Sequence, residues 1–250
     1  MTALSVNLNK IALMRNSRLS GVPSVTQAAR VALENGADGI TVHPRPDLRH
    51  IRPDDVAELS QMLDVEFNIE GNPFEGPVGD YPGFLQLVEK VKPEQCTLVP
   101  DAQDQLTSDH GWDLAEDGER LRPIIKRLKD LGIRVSLFMD ADSDAYPLAA
   151  ELGADRIELY TESYADSFGT ENQEAVFELF ADAAKRAAAV GLEVNAGHDL
   201  NLDNLGLLAS IPNLEEVSIG HALVADALVT GLGPAVAAYK KILLDAAVES

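Results

Sequence analysis

Apolar runs of four to six residues, rich in Val, Ile and Leu, alternate with longer segments of helical period along the whole chain. Short runs bounded by turn residues read as strands. Segments with apolar positions three and four apart read as amphipathic helices. The pattern predicts eight strands, ending near Leu8, Val42, Ile69, Val99, Phe138, Leu159, Val194 and Ile219. Helices are predicted over residues 24–35, 53–62, 82–91, 113–131, 144–152, 171–190, 202–210 and 221–229, with a last helix over 234–247. Gly36, Gly132, Gly153 and Gly191 follow helical segments, where a left-handed cap is wanted.

Strands this apolar are expected to be buried on both faces of a parallel sheet, joined by right-handed crossover helices. Eight such units of about thirty residues is the arithmetic of an α/β fold of the closed (β/α)8 TIM-barrel type with additional helices, filling residues 1–250 as a single domain. An open doubly wound sheet shows a similar alternation. The first strand, however, is followed by no Gly-x-Gly-x-x-Gly, which lowers the dinucleotide-binding alternative.

In a barrel, the residues just after the strands meet around one mouth, so their identities test for an active site. Strand one leads into Asn7, Asn9 and Lys10, then Arg15 and Arg18. Strand two leads into His43, Arg45, Arg49 and His50, with Pro44 and Pro46 stiffening the loop. Strand three ends in Asn68-Ile69-Glu70-Gly71. Thr107 lies in the long loop after strand four, and Glu158 lies within strand six. Strand seven leads into Gly197-His198-Asp199 and strand eight into Gly220-His221. Four of the five histidines fall at or just beyond predicted strand ends; His110 is more distant.

Charge sharpens this picture. With 41 acidic and 20 basic residues the formal net charge is −21, which argues against non-specific binding to nucleic acid or an anionic membrane. Two imidazoles and two guanidiniums within residues 43–50 therefore stand out against the average and suit an anionic ligand. Glu70, leaving an apolar strand for a partly dry mouth, should have its pKa raised and suit a general base; the alternative is a partner for Arg or Lys in the mouth. Gly197 and Gly220 permit close backbone approach, and helix N-termini following each would form phosphate cradles. No His-x-His, His-Glu-x-x-His or cysteine cluster occurs, so no metal is expected. The lone Cys96 sits in a strand pattern and reads as structural. No basic, apolar leader opens the chain and no run of eighteen apolar residues occurs, so a cytoplasmic location is expected.

The segments Asn7-Leu8-Asn9-Lys10-Ile11, Thr41-Val42-His43-Pro44-Arg45, Arg49-His50-Ile51, Asn68-Ile69-Glu70, Asn195-Ala196-Gly197-His198 and Ile219-Gly220-His221-Ala222, in this order and spacing, resemble the pyridoxine 5′-phosphate synthase family. The resemblance spans the chain from about Leu4 to Leu244. It implies a (β/α)8 barrel assembled as a homo-octamer. Such an enzyme condenses 3-amino-2-oxopropyl phosphate with 1-deoxy-D-xylulose 5-phosphate, releasing pyridoxine 5′-phosphate, inorganic phosphate and water without a cofactor. It further implies that His43 and Glu70 accept protons, that His198 donates one and that Glu158 stabilises the transition state. Asn7 and the Gly220-His221 turn would hold the aminoketone phosphate with Arg18 also lining the site, Arg45, His50 and Thr107 would bind the sugar phosphate with Lys10 in reach of it, and Asn9 and Asp199 complete the substrate-binding set. The chain departs from the family at Asn9-Lys10, where many members carry Asp-His, and at Asp199, where glycine often follows the histidine. Two other readings stay open: another phosphosugar isomerase or aldolase, with Lys10 as the Schiff-base candidate, and a non-catalytic phosphate-binding barrel.

Overall fold

The computed structural model describes residues 1–102 and 105–249. Eight parallel strands close into a barrel in chain order: β1 (Ala3–Asn7), β2 (Gly39–Val42), β3 (Glu66–Gly71), β4 (Gln95–Leu98), β5 (Arg134–Met139), β6 (Arg156–Tyr160), β7 (Glu193–Gly197) and β8 (Leu214–Ile219), with β8 pairing back onto β1. Around it run α1 (Asn9–Asn16), α2 (Val25–Glu34), α3 (Pro53–Met62), α4 (Phe84–Val91), α5 (Leu114–Asp130), α6 (Tyr146–Leu152), α7 (Glu162–Ser167), α8 (Gln173–Ala189), α9 (Leu205–Leu208), α10 (His221–Thr230) and α11 (Leu232–Glu249). No helix among the described residues is long and apolar enough to cross a membrane.

Every predicted strand is present, and Gly36, Gly132, Gly153 and Gly191 all take the positive φ expected of helix caps. One expectation is corrected. The strands are buried on both faces, but only the outward face is apolar. Leu4, Val6, Ile40, Val42, Phe67, Ile69, Cys96, Leu98, Ile157, Leu159, Val217 and Ile219 join the core between sheet and helices. The alternate positions Ser5, Thr41, Asn68, Gln95, Thr97, Ser136, Arg156, Glu158, Asn195, Glu216 and Ser218 are buried and polar. Gln95 Nε2 on β4 donates to Glu216 Oε1 on β8 at 3.3 Å, and Arg156 Nη1 on β6 donates to Gln95 Oε1 at 3.1 Å and Asn195 Oδ1 at 3.3 Å. These strands are not neighbours, apart from β6 and β7, so the bonds cross the lumen. Most members of this polar lumen bond to one another, which offsets their desolvation, while Ser136 Oγ and Glu158 Oε2 have no partner among the described residues.

The same period-2 phase that sends Leu4 and Val6 outward carries Asn7, Glu70, Phe138 and Tyr160 to the carboxyl end of the lumen. There Val99, Phe138 and Tyr160 pack into a small apolar wall of their own. Helix α1 fixes the loop beyond β2. Arg15 pairs with the buried Asp55 of α3 and donates from Nη2 to the His50 carbonyl at 3.1 Å. Asn16 Nδ2 donates to the carbonyls of Leu48, Arg49 and His50 at 3.2, 3.0 and 2.7 Å.

Candidate active site

A cavity of about 370 Å³ opens at the carboxyl end of the barrel. Of the fourteen residues given a catalytic or substrate-binding role above, all line it except Arg18, which is exposed and donates from Nη1 to the carbonyl of Ser17 at 2.8 Å. Arg18 falls just past the end of α1 on the solvent side, so the structure does not bring it to the other thirteen.

Asn7, the last residue of β1, organises the first corner. Its Oδ1 accepts from the Asn9 N–H at 3.0 Å while its Nδ2 donates to Glu70 Oε2 at 3.3 Å. Asn9 Oδ1 in turn accepts from the His43 N–H at 2.9 Å. This chain of amides brings the His43 ring and the Glu70 carboxyl together, with Nδ1 and Oε2 4.0 Å apart and both side chains buried. Burial pushes the Glu70 carboxyl well above the usual range, and the nearby carboxylates of Glu158, Asp101 and Glu216 push it further. Burial pulls the His43 imidazole well down, helped by Arg45, His50 and Arg49. The pair is therefore a neutral acid beside a neutral base rather than an ion pair. Burial also lifts Glu158 to about 7, against one hydrogen bond from Thr97; its Oε2 has no partner among the described residues. The Glu158 carboxyl has room because β7 ends in glycine: a Cβ on Gly197 would lie 2.3 Å from Oε1.

The second corner carries the cations. Burial and the charges of Arg45 and Arg49 take His50 down to about 3, so its ring is neutral. Its Nδ1 accepts from the Ile51 N–H at 3.0 Å, which leaves the ring proton on Nε2 as a donor. Arg45 is 3% exposed and is held by the buried Asp101, whose Oδ2 also accepts from Ser108 Oγ at 2.9 Å. Arg49 donates to the Gln105 carbonyl at 2.9 Å. Lys10 lines the cavity and makes no hydrogen bond or ion pair to a described residue. It is a cation in the mouth ready for an external anion.

On the opposite rim, His198 Nδ1 lies 2.7 Å from Asp199 Oδ2 and Nε2 lies 2.8 Å from Thr107 Oγ1; the ring stands edge-on to Tyr160 at 5.1 Å between centroids. Only one of the two expected helix-terminus cradles forms. Helix α10 begins at His221 directly after Gly220, whose Cβ position is 3.1 Å from Asn7 Cβ, so a side chain there would crowd the strand-one corner. After Gly197 no helix follows until Leu205, and the chain makes a tight turn instead.

Ser108, Glu162 and Ser218 also line the cavity, and Asp101 stands behind it; none was singled out from the sequence. Ser218 was reachable, because it is the inward residue of β8 two positions before Gly220. Asp101 and Ser108 were not, because their roles arise from the fold of the long loop after β4. Among the described residues no group of three or more His, Cys, Asp or Glu side chains is arranged to hold a metal ion.

Comparison with known proteins adds to this geometry. A family model described as "Pyridoxal phosphate biosynthesis protein PdxJ" matches residues 4–245. The pyridoxine 5′-phosphate synthase of Xanthomonas axonopodis pv. citri (strain 306) is 57% identical over 246 residues, covering 97% of this chain and 96% of that protein. The protein of the same name from Albidiferax ferrireducens is 54% identical over 248 residues, covering 97% of each. Among solved structures, the phosphoribosyl anthranilate isomerase of Thermus thermophilus has a TM-score of 0.58 at 13% identity, covering 98% of this chain and 99% of its own. A 4-hydroxy-2-oxoglutarate aldolase structure has a TM-score of 0.59 at 13% identity, covering 96% and 94%. At that identity the likeness shows the barrel fold alone.

Proposed function

The chain belongs to the pyridoxal phosphate biosynthesis protein PdxJ family, and on that premise we propose that it is a pyridoxine 5′-phosphate synthase joining 3-amino-2-oxopropyl phosphate to 1-deoxy-D-xylulose 5-phosphate. Joining an amine to a ketone, eliminating phosphate and water and closing an aromatic ring needs several proton transfers at neutral pH. The observation that carries the reading is the His43–Glu70 contact at 4.0 Å, in which burial raises the acid and lowers the base. Opposite shifts favour the uncharged form of each group, a carboxylic acid beside a neutral imidazole. In the resting cavity the proton sits on Glu70 and His43 is free to accept one. His198, on the far rim, is the proton donor, and Glu158 stabilises the charge that develops between them.

Two phosphate esters require two anion sites. Asn7 with the Gly220–His221 turn at the start of α10 takes the aminoketone phosphate, where helix N–H groups and the helix dipole favour an anion. Lys10, the Nε2–H of His50 and Thr107 take the sugar phosphate, with Arg45 contributing its field from behind. The substrates, the octameric assembly, the single-domain organisation, the cytoplasmic location and action without a cofactor all belong to this proposal. Incubating the purified protein with both substrates tests it: pyridoxine 5′-phosphate and inorganic phosphate appear together and only when both substrates are supplied. Binding of both substrates without product would return the chain to the non-catalytic reading.

A further inference from the structure

The turn after β7 is built at a conformational cost. His198 and Asp199 have φ values of 91° and 54°, two successive L-residues in a region such residues rarely adopt. Glycine would sit there without strain, and Asp is among the few side chains that tolerate it. The turn is nevertheless held firmly. Thr161 Oγ1 donates to the Gly197 carbonyl at 2.8 Å and also contacts the His198 carbonyl, while Asn204 Nδ2 donates to the Asp199 carbonyl at 3.2 Å. The product of this geometry is one contact, the 2.7 Å hydrogen bond between Asp199 Oδ2 and His198 Nδ1.

We propose that the Asp199 carboxylate is a positioning residue that locks the His198 ring with a proton on Nδ1, so that Nε2 is the atom that delivers and recovers the catalytic proton. This rests on reading His198 as the proton donor. A carboxylate only accepts, so the Nδ1 proton is fixed by its partner. Nε2 faces Thr107 Oγ1 at 2.8 Å, and a hydroxyl accepts when Nε2 is protonated and donates when it is not. In the ligand-free cavity the ring is thus bonded on both edges, and the departing oxygen takes the place of Thr107 Oγ1 at Nε2 when the proton is delivered. When His198 gives its Nε2 proton to a departing oxygen, it becomes the neutral Nδ1–H imidazole, still bonded to Asp199. Both side chains line the cavity, and the carboxylate occupies the Nδ1 edge of the ring rather than the Nε2 edge.

Long-range 1H–15N spectra of the ligand-free protein read the His198 tautomer, with His198→Gln identifying its signals. The neutral ring carries its proton on Nδ1 in the wild-type chain and shifts towards Nε2–H in Asp199→Gly, a variant whose backbone suits the turn. In that variant kcat falls about 10- to 10²-fold while KM for either phosphate changes by less than about threefold. Asp199→Asn, whose amide oxygen can still accept from Nδ1, recovers the Nδ1–H form and part of the turnover. Unchanged tautomer and kcat in Asp199→Gly would overturn the inference, reducing residue 199 to a backbone contact. If His198→Gln is inactive in that case, the proton-donor reading survives and only the positioning role is lost. If His198→Gln turns over like wild type, both fall.

Discussion

Replacing Glu158 by Gln should make the protein more stable at high pH while impairing its turnover. Glu158 is 3% exposed, and burial lifts its carboxyl from 4.5 to about 7. The folded chain therefore binds this proton more tightly than the unfolded chain. The resulting stability is complete below the unfolded value and is lost as pH rises through the folded one. At pH 9 the wild-type fold must keep a charge in the lumen, at a cost of about 3 kcal/mol relative to pH 4. Gln has nearly the same shape and cannot ionise. Its stabilisation should be near zero at pH 4.5 and grow to about 3 kcal/mol by pH 9, or about 6–12 °C in Tm for a chain of this size. Glu70 adds to the effect, since part of its upward shift comes from the Glu158 charge, which the substitution removes. Thermal unfolding of both proteins at equal concentration, in steps from pH 4.5 to 9, is the assay. A Tm difference that stays constant with pH, or a variant less stable at pH 9, would refute the placement of an ionisable, desolvated carboxyl at this point.

Gly197→Ala places a Cβ 2.3 Å from Glu158 Oε1 with the Ser218 carbonyl 3.4 Å away, so the carboxyl must move by about 1 Å. Turnover should fall about 10²-fold with a stability loss of about 1–3 kcal/mol, read by steady-state kinetics and urea unfolding. Lys10→Met should raise KM for the sugar phosphate about tenfold or more through loss of one charge-assisted contact, leaving KM for the aminoketone phosphate little changed. Borohydride added with the sugar phosphate should trap no adduct on Lys10; a mass increase there would turn the assignment towards a Schiff-base aldolase.

The strands and their order were readable because a residue's direction in a strand depends only on local alternation, and the outward positions of all eight are apolar. The polar lumen was harder to see. Thr41, Thr97 and Ser136 are small enough to pass as members of a buried run, and the bonds that satisfy Gln95 and Glu216 join residues 121 apart in sequence. Helices α1 and α7 escaped notice for a related reason: α1 has eight residues and buries only Ile11, Ala12 and Arg15, and neither helix has a side-chain N-cap. Without α1 there was no way to know that Arg18 would end in solvent. Within the site, the neighbourhood of His43, Glu70 and His198 followed from the barrel rule that strand ends converge. The engagement of Arg45 by Asp101 did not, because it depends on the path of a loop with no periodic pattern.

The account stands on the buried His43–Glu70 pair acting as the site's proton carrier. Turnover of Glu70→Gln, measured beside the equilibrium binding of each phosphate substrate, tests it most directly. The account predicts kcat lower by about 10²-fold or more with both affinities within about threefold of wild type. Full activity in that variant would contradict it.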